Sequence, residues 1–212
     1  MGERVSGKLA MVCGVLGALW LLVMVIAGGA AFPGYDHTAQ YISELGANGA
    51  PHGQVVSWAG FLPVGLLICA FAMFGGLAAP RSLLAVLGFV GVFLFAIGYA
   101  GSAFFPCDYG CRPEEPTLSQ MLHYMVGLPG YFLAPVTLLL LGLAAWAWPG
   151  ARLLSVFGFV CAAGALTGLV MLSPDSPTVG LAQRVLEASM LIWVVACALY
   201  LGTRRASETA AP

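Results

Sequence analysis

Six apolar runs, near residues 9–31, 55–78, 83–105, 119–147, 153–172 and 181–201, constrain this chain more than anything else in it. Each is about as long as the roughly 20 residues that a helix needs to cross a hydrocarbon core about 30 Å thick. No water reaches a backbone N–H or C=O in that medium, so each run must satisfy its own polar groups by coiling into a helix. The expected fold class is therefore all-α: one polytopic membrane domain over residues 1–205, a six-transmembrane-helix bundle, with 206–212 as a short disordered cytoplasmic tail. Composition agrees, since 60% of the residues are hydrophobic and only 8% charged, against roughly 25% charged in an ordinary soluble domain. It also speaks against a nucleic-acid partner, because no basic run exists to neutralise phosphates.

The first run follows Arg4 and Lys8 and ends in Gly28, Gly29, Ala30 and Ala31, so a cleaved signal peptide competes with a retained helix. Retention is favoured, because the apolar region of a signal peptide is typically only about 7 to 15 residues long. Orientation follows from Lys and Arg: Arg4, Lys8, Arg81, Arg152, Arg204 and Arg205 fall at the termini and in the second and fourth connections. Only Arg112 and Arg184 fall on the other side. The positive-inside rule then puts both termini in the cytoplasm of a cell-membrane protein and points three hairpins outward. The outward segments carry Asp36, Glu44, Asp108, Glu114, Glu115, Asp175 and Glu187, seven of the nine acidic residues, so the polar chemistry is expected there.

Each outward crest begins alike, with Phe32-Pro33 before Asp36, Phe105-Pro106 before Asp108, and Ser173-Pro174 before Asp175. A faint threefold repeat and the ordinary use of Pro and Asp to end helices both account for this. In the first crest, Asp36 is expected to cap an interfacial helix ending at Gly46, with Tyr35, Ile42 and Leu45 towards the membrane and His37, Gln40 and Glu44 on another face. In the second, Thr117-Leu118-Ser119-Gln120 reads as a capping box that places His123 in the first turns of helix four. Pro129 and Pro135 predict a kink in that helix.

Cys107 and Cys111, with three residues between them in an outward loop, are expected to form a disulfide in an oxidising exterior. Cys13, Cys69, Cys161 and Cys197 lie inside helices and read as small hydrophobes. Ser43, Asp108 and His123 offer the three roles of nucleophile, orienting carboxylate and general base that hydrolysis or acyl transfer needs. The competing reading has them capping and bonding loop backbone, since Ser43 lacks a G-x-S-x-G elbow. His37, His52 and His123 lack metal-ligand spacing, so no metal and no cofactor is expected. Gln183, Arg184 and Glu187 share one face of helix six, where ionisable groups pair, line a cavity or do a job. Either Arg184 pairs with Glu187, or its planar fork holds a lipid phosphate. Glu44 joins Gln183, Arg184 and Glu187 as a candidate ligand-binding group. Gly158, Gly164 and Gly168 read as sites of close helix packing.

The combination Y-I-S-E-L-G at Tyr41–Gly46, F-P-C-D at Phe105–Asp108, His123 shortly after, and G-L-A-Q-R at Gly180–Arg184 resembles the bacterial and archaeal domain-of-unknown-function family numbered nine hundred and ninety-eight. The likeness spans nearly the whole chain. The layout is also similar to that of the eukaryotic DRAM-type six-helix proteins, which are associated with lipid and lysosomal membranes. The resemblance implies six helices and an outward S-E-L-G loop, and draws interest to Ser43, Asp108, His123 and Arg184. It implies no activity. Two readings result: an outward polar pocket that binds, and in an enzymatic version modifies, a lipid or lipid-linked headgroup, or a non-enzymatic accessory subunit packed against a membrane-protein partner.

Overall fold

A computed structural model of the chain describes residues 2–204; the expected tail, 206–212, lies outside the described residues. The chain forms six helices long and apolar enough to cross a membrane: α1 (Arg4–Ala31), α2 (Gly53–Ala78), α3 (Leu83–Phe104), α4 (Leu118–Trp146), α5 (Arg152–Met171) and α6 (Val179–Thr203). No strand occurs among the described residues. Each helix packs on its neighbours in sequence and α6 closes on α1, so the six make a ring. α6 also touches α2 and α4, and it is the most enclosed of the six.

Close packing here rests on small residues, because lipid is as apolar as a leucine side chain and gives helices no hydrophobic reason to associate. Gly158, Gly164 and Gly168 of α5 show it: side chains built on them would meet Gly142 Cα at 2.9 Å, Ser189 Oγ at 2.5 Å and Leu186 N at 2.6 Å. The last two contacts belong to α6, which α5 approaches backbone to backbone at Gly168.

Two local departures from a plain α-helix have identifiable causes. Residues Val56–Phe61 of α2 form a π-helical turn. Pro63, just beyond it, has no N–H to donate back to the Ala59 carbonyl, and that carbonyl accepts instead from Trp20 Nε1 of α1 at 2.8 Å. The second departure is length. α4 runs 29 residues and α5 only 20, and the turn joining them is short, so α5 stops roughly 13 Å before the start of α4 at about 1.5 Å rise per residue. Pro129 and Pro135 both lie inside α4.

The connections α1–α2, α3–α4 and α5–α6 interlock at one end of the ring. Asn48 N donates to Cys107 O at 2.8 Å, joining the first to the second. Arg112 of the second donates to Ala39 O of the first and to Pro174 O of the third. The single interfacial helix expected in the first connection is not what forms. Asp36 O accepts from Gln40 N at 2.9 Å and Asp36 Oδ1 from Thr38 N at 2.7 Å, closing one turn. A separate 3-10 helix spans Ile42–Gly46. The break falls where side chains take the backbone donors that a continuous helix would need: Tyr41 N goes to Glu44 Oε1 and Ile42 N to Gln183 Oε1. Glu44, expected on a separate face, is buried.

Gly168→Val tests the close approach of α5 and α6. Its Cβ would lie 2.6 Å from Leu186 N and 2.7 Å from Ala182 O, and overpacking of this kind costs about 1–3 kcal/mol. A lower thermal unfolding midpoint in detergent is expected, and an unchanged midpoint would show that the two helices separate freely.

Candidate functional site

The first turn of α6 organises the site. Gly180 touches the backbone of the first connection so closely that a Cβ would come within 2.8 Å of Gln40 N and of His37 O. That approach lets Leu181 N, one of the helix's unpaired first-turn donors, bond Thr38 O at 2.9 Å. Arg184 then reaches up. Its Nη1 donates to Gln40 O and Gly180 O, both at 2.9 Å, and its Nη2 to Tyr35 OH at 2.8 Å and His37 Nδ1 at 3.0 Å. All four terminal N–H donors thus have protein acceptors, and none goes to Glu187. Both sequence readings of Arg184 meet the same obstacle: its four terminal donors are taken, three by the first connection and one by Gly180 of its own helix, while the buried Nε has no partner.

The charges of this latch respond to one another. Burial pushes the Tyr35 hydroxyl up to about 12, against the opposing pull of the Arg184 guanidinium. His37 is held below its usual range by burial and, next, by the same guanidinium. Asp36 is held low by the backbone N–H of Thr38.

Below the latch lies a cleft of about 490 Å³. Ser43, Cys111, Arg112 and Pro113 form its roof, Tyr124, Gly127, Leu128 and Tyr131 of α4 one wall, and Phe61, Phe95 and Tyr99 another. Leu172 and Pro174 line it where α5 has ended, and Gln183 and Glu187 face it from α6. The α4 positions repeat at the helical spacing of three and four, which is why one face of that helix serves. The base is polar. Glu187, 3% exposed, accepts the phenolic O–H of Tyr99 on one oxygen and that of Tyr131 on the other. Gln183 Nε2 donates to Tyr131 OH at 2.7 Å while its Oε1 accepts from Ile42 N at 2.6 Å, so one amide ties the base of the cleft to the latch.

The remaining sequence candidates separate. Ser43 and His123 both line the cleft. Asp108 does not: its oxygens accept from Thr117 Oγ1 at 2.7 Å and Thr117 N at 3.0 Å. The Thr117 hydroxyl caps Gln120 N at 3.2 Å as a capping box requires, but Gln120 Oε1 returns to Asp108 N at 2.8 Å, so Asp108 completes the cap. His123 Nδ1 lies 2.9 Å from the Phe105 carbonyl. A carbonyl only accepts, so Nδ1 carries the proton and Nε2 is left as an acceptor. Ser43 Oγ lies 3.3 Å from Cys111 Sγ, which is bonded to Cys107 in a disulfide. Glu44 is occupied by Tyr41 N and by Gln40 Nε2 at 2.7 Å. Among the described residues no three His, Cys, Asp or Glu side chains come together as a metal would need.

Sequence reasoning missed Tyr99, Tyr131 and Arg112. A usable signal existed for the first two, since a tyrosine within an apolar run needs a partner for its hydroxyl and Glu187 needs donors. Residues 15–200 match the family described as "Protein of unknown function (DUF998)". No curated protein and no solved structure matches the chain.

The latch should be sensitive to pH through His37. A protonated His37 cannot accept from Arg184 and sets a like charge beside it. Because its folded value lies below the unfolded value of about 6.5, its contribution is complete above about pH 6.5 and is lost as pH falls from there through the folded value. Hydrogen exchange over residues 35–46, corrected for intrinsic rates, should therefore lose protection as pH falls across that window. His37→Gln, which keeps an acceptor that does not titrate, should flatten the response; an identical response in both proteins would remove His37 from the latch.

Proposed function

The chain belongs to the DUF998 family of proteins of unknown function, and we propose that it is a multi-pass protein of the cell membrane whose cleft binds a lipid or lipid-linked headgroup. The carrying observation is the cleft's position and lining. It is bounded by the crest-end halves of membrane-spanning helices, has apolar walls of Phe61, Phe95 and Leu128, and ends on the polar Gln183, Glu187, Tyr99 and Tyr131. Mostly apolar cavities with a few convergent polar groups are the usual form of small-molecule sites. The early end of α5 supports entry from the bilayer, because the cleft is lined there by Leu172 and Pro174, which lie beyond the last turn of that helix.

The distribution of Lys and Arg supports an outward cleft in three outward-opening hairpins, with both termini cytoplasmic. Arg81, Arg152 and Arg204 lie at the end of the ring away from it, and short loops on the cytoplasmic side carry the excess of basic residues. A reporter active only outside the cytoplasm should be silent when fused after Arg204 and active when inserted at Gly49; the reverse pattern would invert the protein.

Binding is favoured over hydrolysis or acyl transfer. Of the three groups such chemistry would need, Ser43 and His123 face the cleft, while the Asp108 carboxylate is engaged by Thr117. The exposed apolar side chains of α1, such as Leu19, Leu22, Val23 and Ile26, are what any lipid-facing helix presents, so they carry no argument for an accessory role.

Gly127→Leu tests the reading. A Cβ at Gly127 meets nothing within 4 Å, so a leucine there would project into the cleft without disturbing the backbone, and it gains about 1 kcal/mol of helix propensity over glycine. Purified wild-type protein should carry a bound lipid detectable by mass spectrometry, and Gly127→Leu, equally stable, should lose it. The same lipid content in both would sink the proposal.

A further inference from the structure

Glu187 carries more information than its place on the lining. A carboxylate taken out of water is costly unless it is paired and hydrogen-bonded. Glu187 is hydrogen-bonded, by two phenols, but it is not paired. Among the described residues no Lys, Arg or His donates to it. Arg184, one turn nearer the helix start, gives its four terminal N–H donors to the first connection and to Gly180 O, and none to Glu187. Arg112, in the roof of the cleft, lies over the Tyr41 ring, tied to the Ala39 and Pro174 carbonyls. Each carboxylate oxygen has two lone pairs, and each accepts one phenol. Acceptor capacity therefore remains on a group that faces the cleft.

The surroundings are aromatic. Phe95 packs edge-on to Tyr99 at 5.7 Å between centroids and beside Tyr131 at 6.0 Å, and Phe61 lies 6.3 Å from Tyr99. A carboxylate among aromatic rings, shielded from water, attracts an organic cation by charge and by the negative faces of the rings. It repels an anion, and to a neutral hydroxyl it offers hydrogen-bond acceptors without a charge to pair. We propose that the deep end of the cleft takes the ammonium group of an amine-bearing amphiphile, with Glu187 as its counter-ion. This rests on the cleft being a binding site. The shared chemistry is an ammonium on a hydrophobic body, whether the headgroup of an amine-bearing lipid or a free lipophilic amine.

The test uses the full chain in nanodiscs of phosphatidylglycerol, which has no amine, with protein-free discs subtracted. Calorimetric titration with hexyltrimethylammonium should show saturable one-site binding, and hexanol and hexyl sulfate should bind far more weakly. Glu187→Gln keeps an oxygen for one phenol and sets an amide N–H against the other, whose hydroxyl can turn to accept it, but removes the charge, and should weaken binding roughly thirtyfold or more, as loss of one partner of a buried charge pair does. The comparison of the three probes on the wild-type chain needs no variant, so a folding defect in Glu187→Gln leaves that comparison informative. Equal affinity in Glu187→Gln, or equal binding of hexyl sulfate, overturns the inference. If Gly127→Leu abolishes binding while Glu187→Gln does not, the cleft stands and its preference for cations falls. If Gly127→Leu changes no probe's binding, the cleft reading itself fails. With the inference upheld, competition by phosphatidylethanolamine in the discs identifies a lipid headgroup as the source, and no competition identifies a free amine.

Discussion

The structure depends on one turn of helix satisfying the backbone of a distant loop. The face of the first connection that lies on the bundle is cut off from water, and a polar group stranded there costs several kcal/mol in a lipid-like setting. The start of α6 supplies the partners: Leu181 N for Thr38 O, Arg184 for Gln40 O, Gln183 for Ile42 N. Gly180 makes this possible by having no side chain to hold the loop away. Hydrogen bonds to a charged donor are worth about 1.5–3 kcal/mol each, so Arg184 is the strongest member of the set. The same bonds explain why the first connection is two tight turns instead of one helix.

The cleft follows from that latch and from one helix being too short. With the first connection held over α6, and α5 ending at Met171, a space remains between α4, α3 and α6 that no side chain fills. Gln183 joins the two features, because its amide serves Ile42 of the latch with one end and Tyr131 of the cleft base with the other. Latch and cleft are thus connected through the Gln183 amide, as they are through Arg112, which lines the cleft and donates to Ala39 O.

The four residues to which the family resemblance drew interest divide by role. Ser43 and His123 face the cleft, whereas Asp108 and Arg184 hold loops and helix ends in position. Recurrent polar residues in a membrane protein are readily taken for chemistry, yet an irregular connection packed on a bundle needs side-chain donors and acceptors of its own. The side chains that make the cleft base distinctive, Tyr99 and Tyr131, sit inside apolar runs where a tyrosine passes as an ordinary aromatic.

The sequence by itself determined what depends on neighbours along the chain. The six helices follow from runs of apolar residues, the Thr117 cap from a threonine three residues before Gln120, and the Cys107–Cys111 disulfide from two cysteines that a single loop brings together. Only the tertiary structure decided which distant partner each polar group took. Glu187 lies three residues from Arg184 but is bonded by tyrosines of α3 and α4, while Arg184 bonds residues nearly 150 positions away. Helical spacing makes the close pairing available. The guanidinium goes instead to the first connection, where several unsatisfied acceptors converge within reach, and that convergence exists only once α6 has closed the ring against α1.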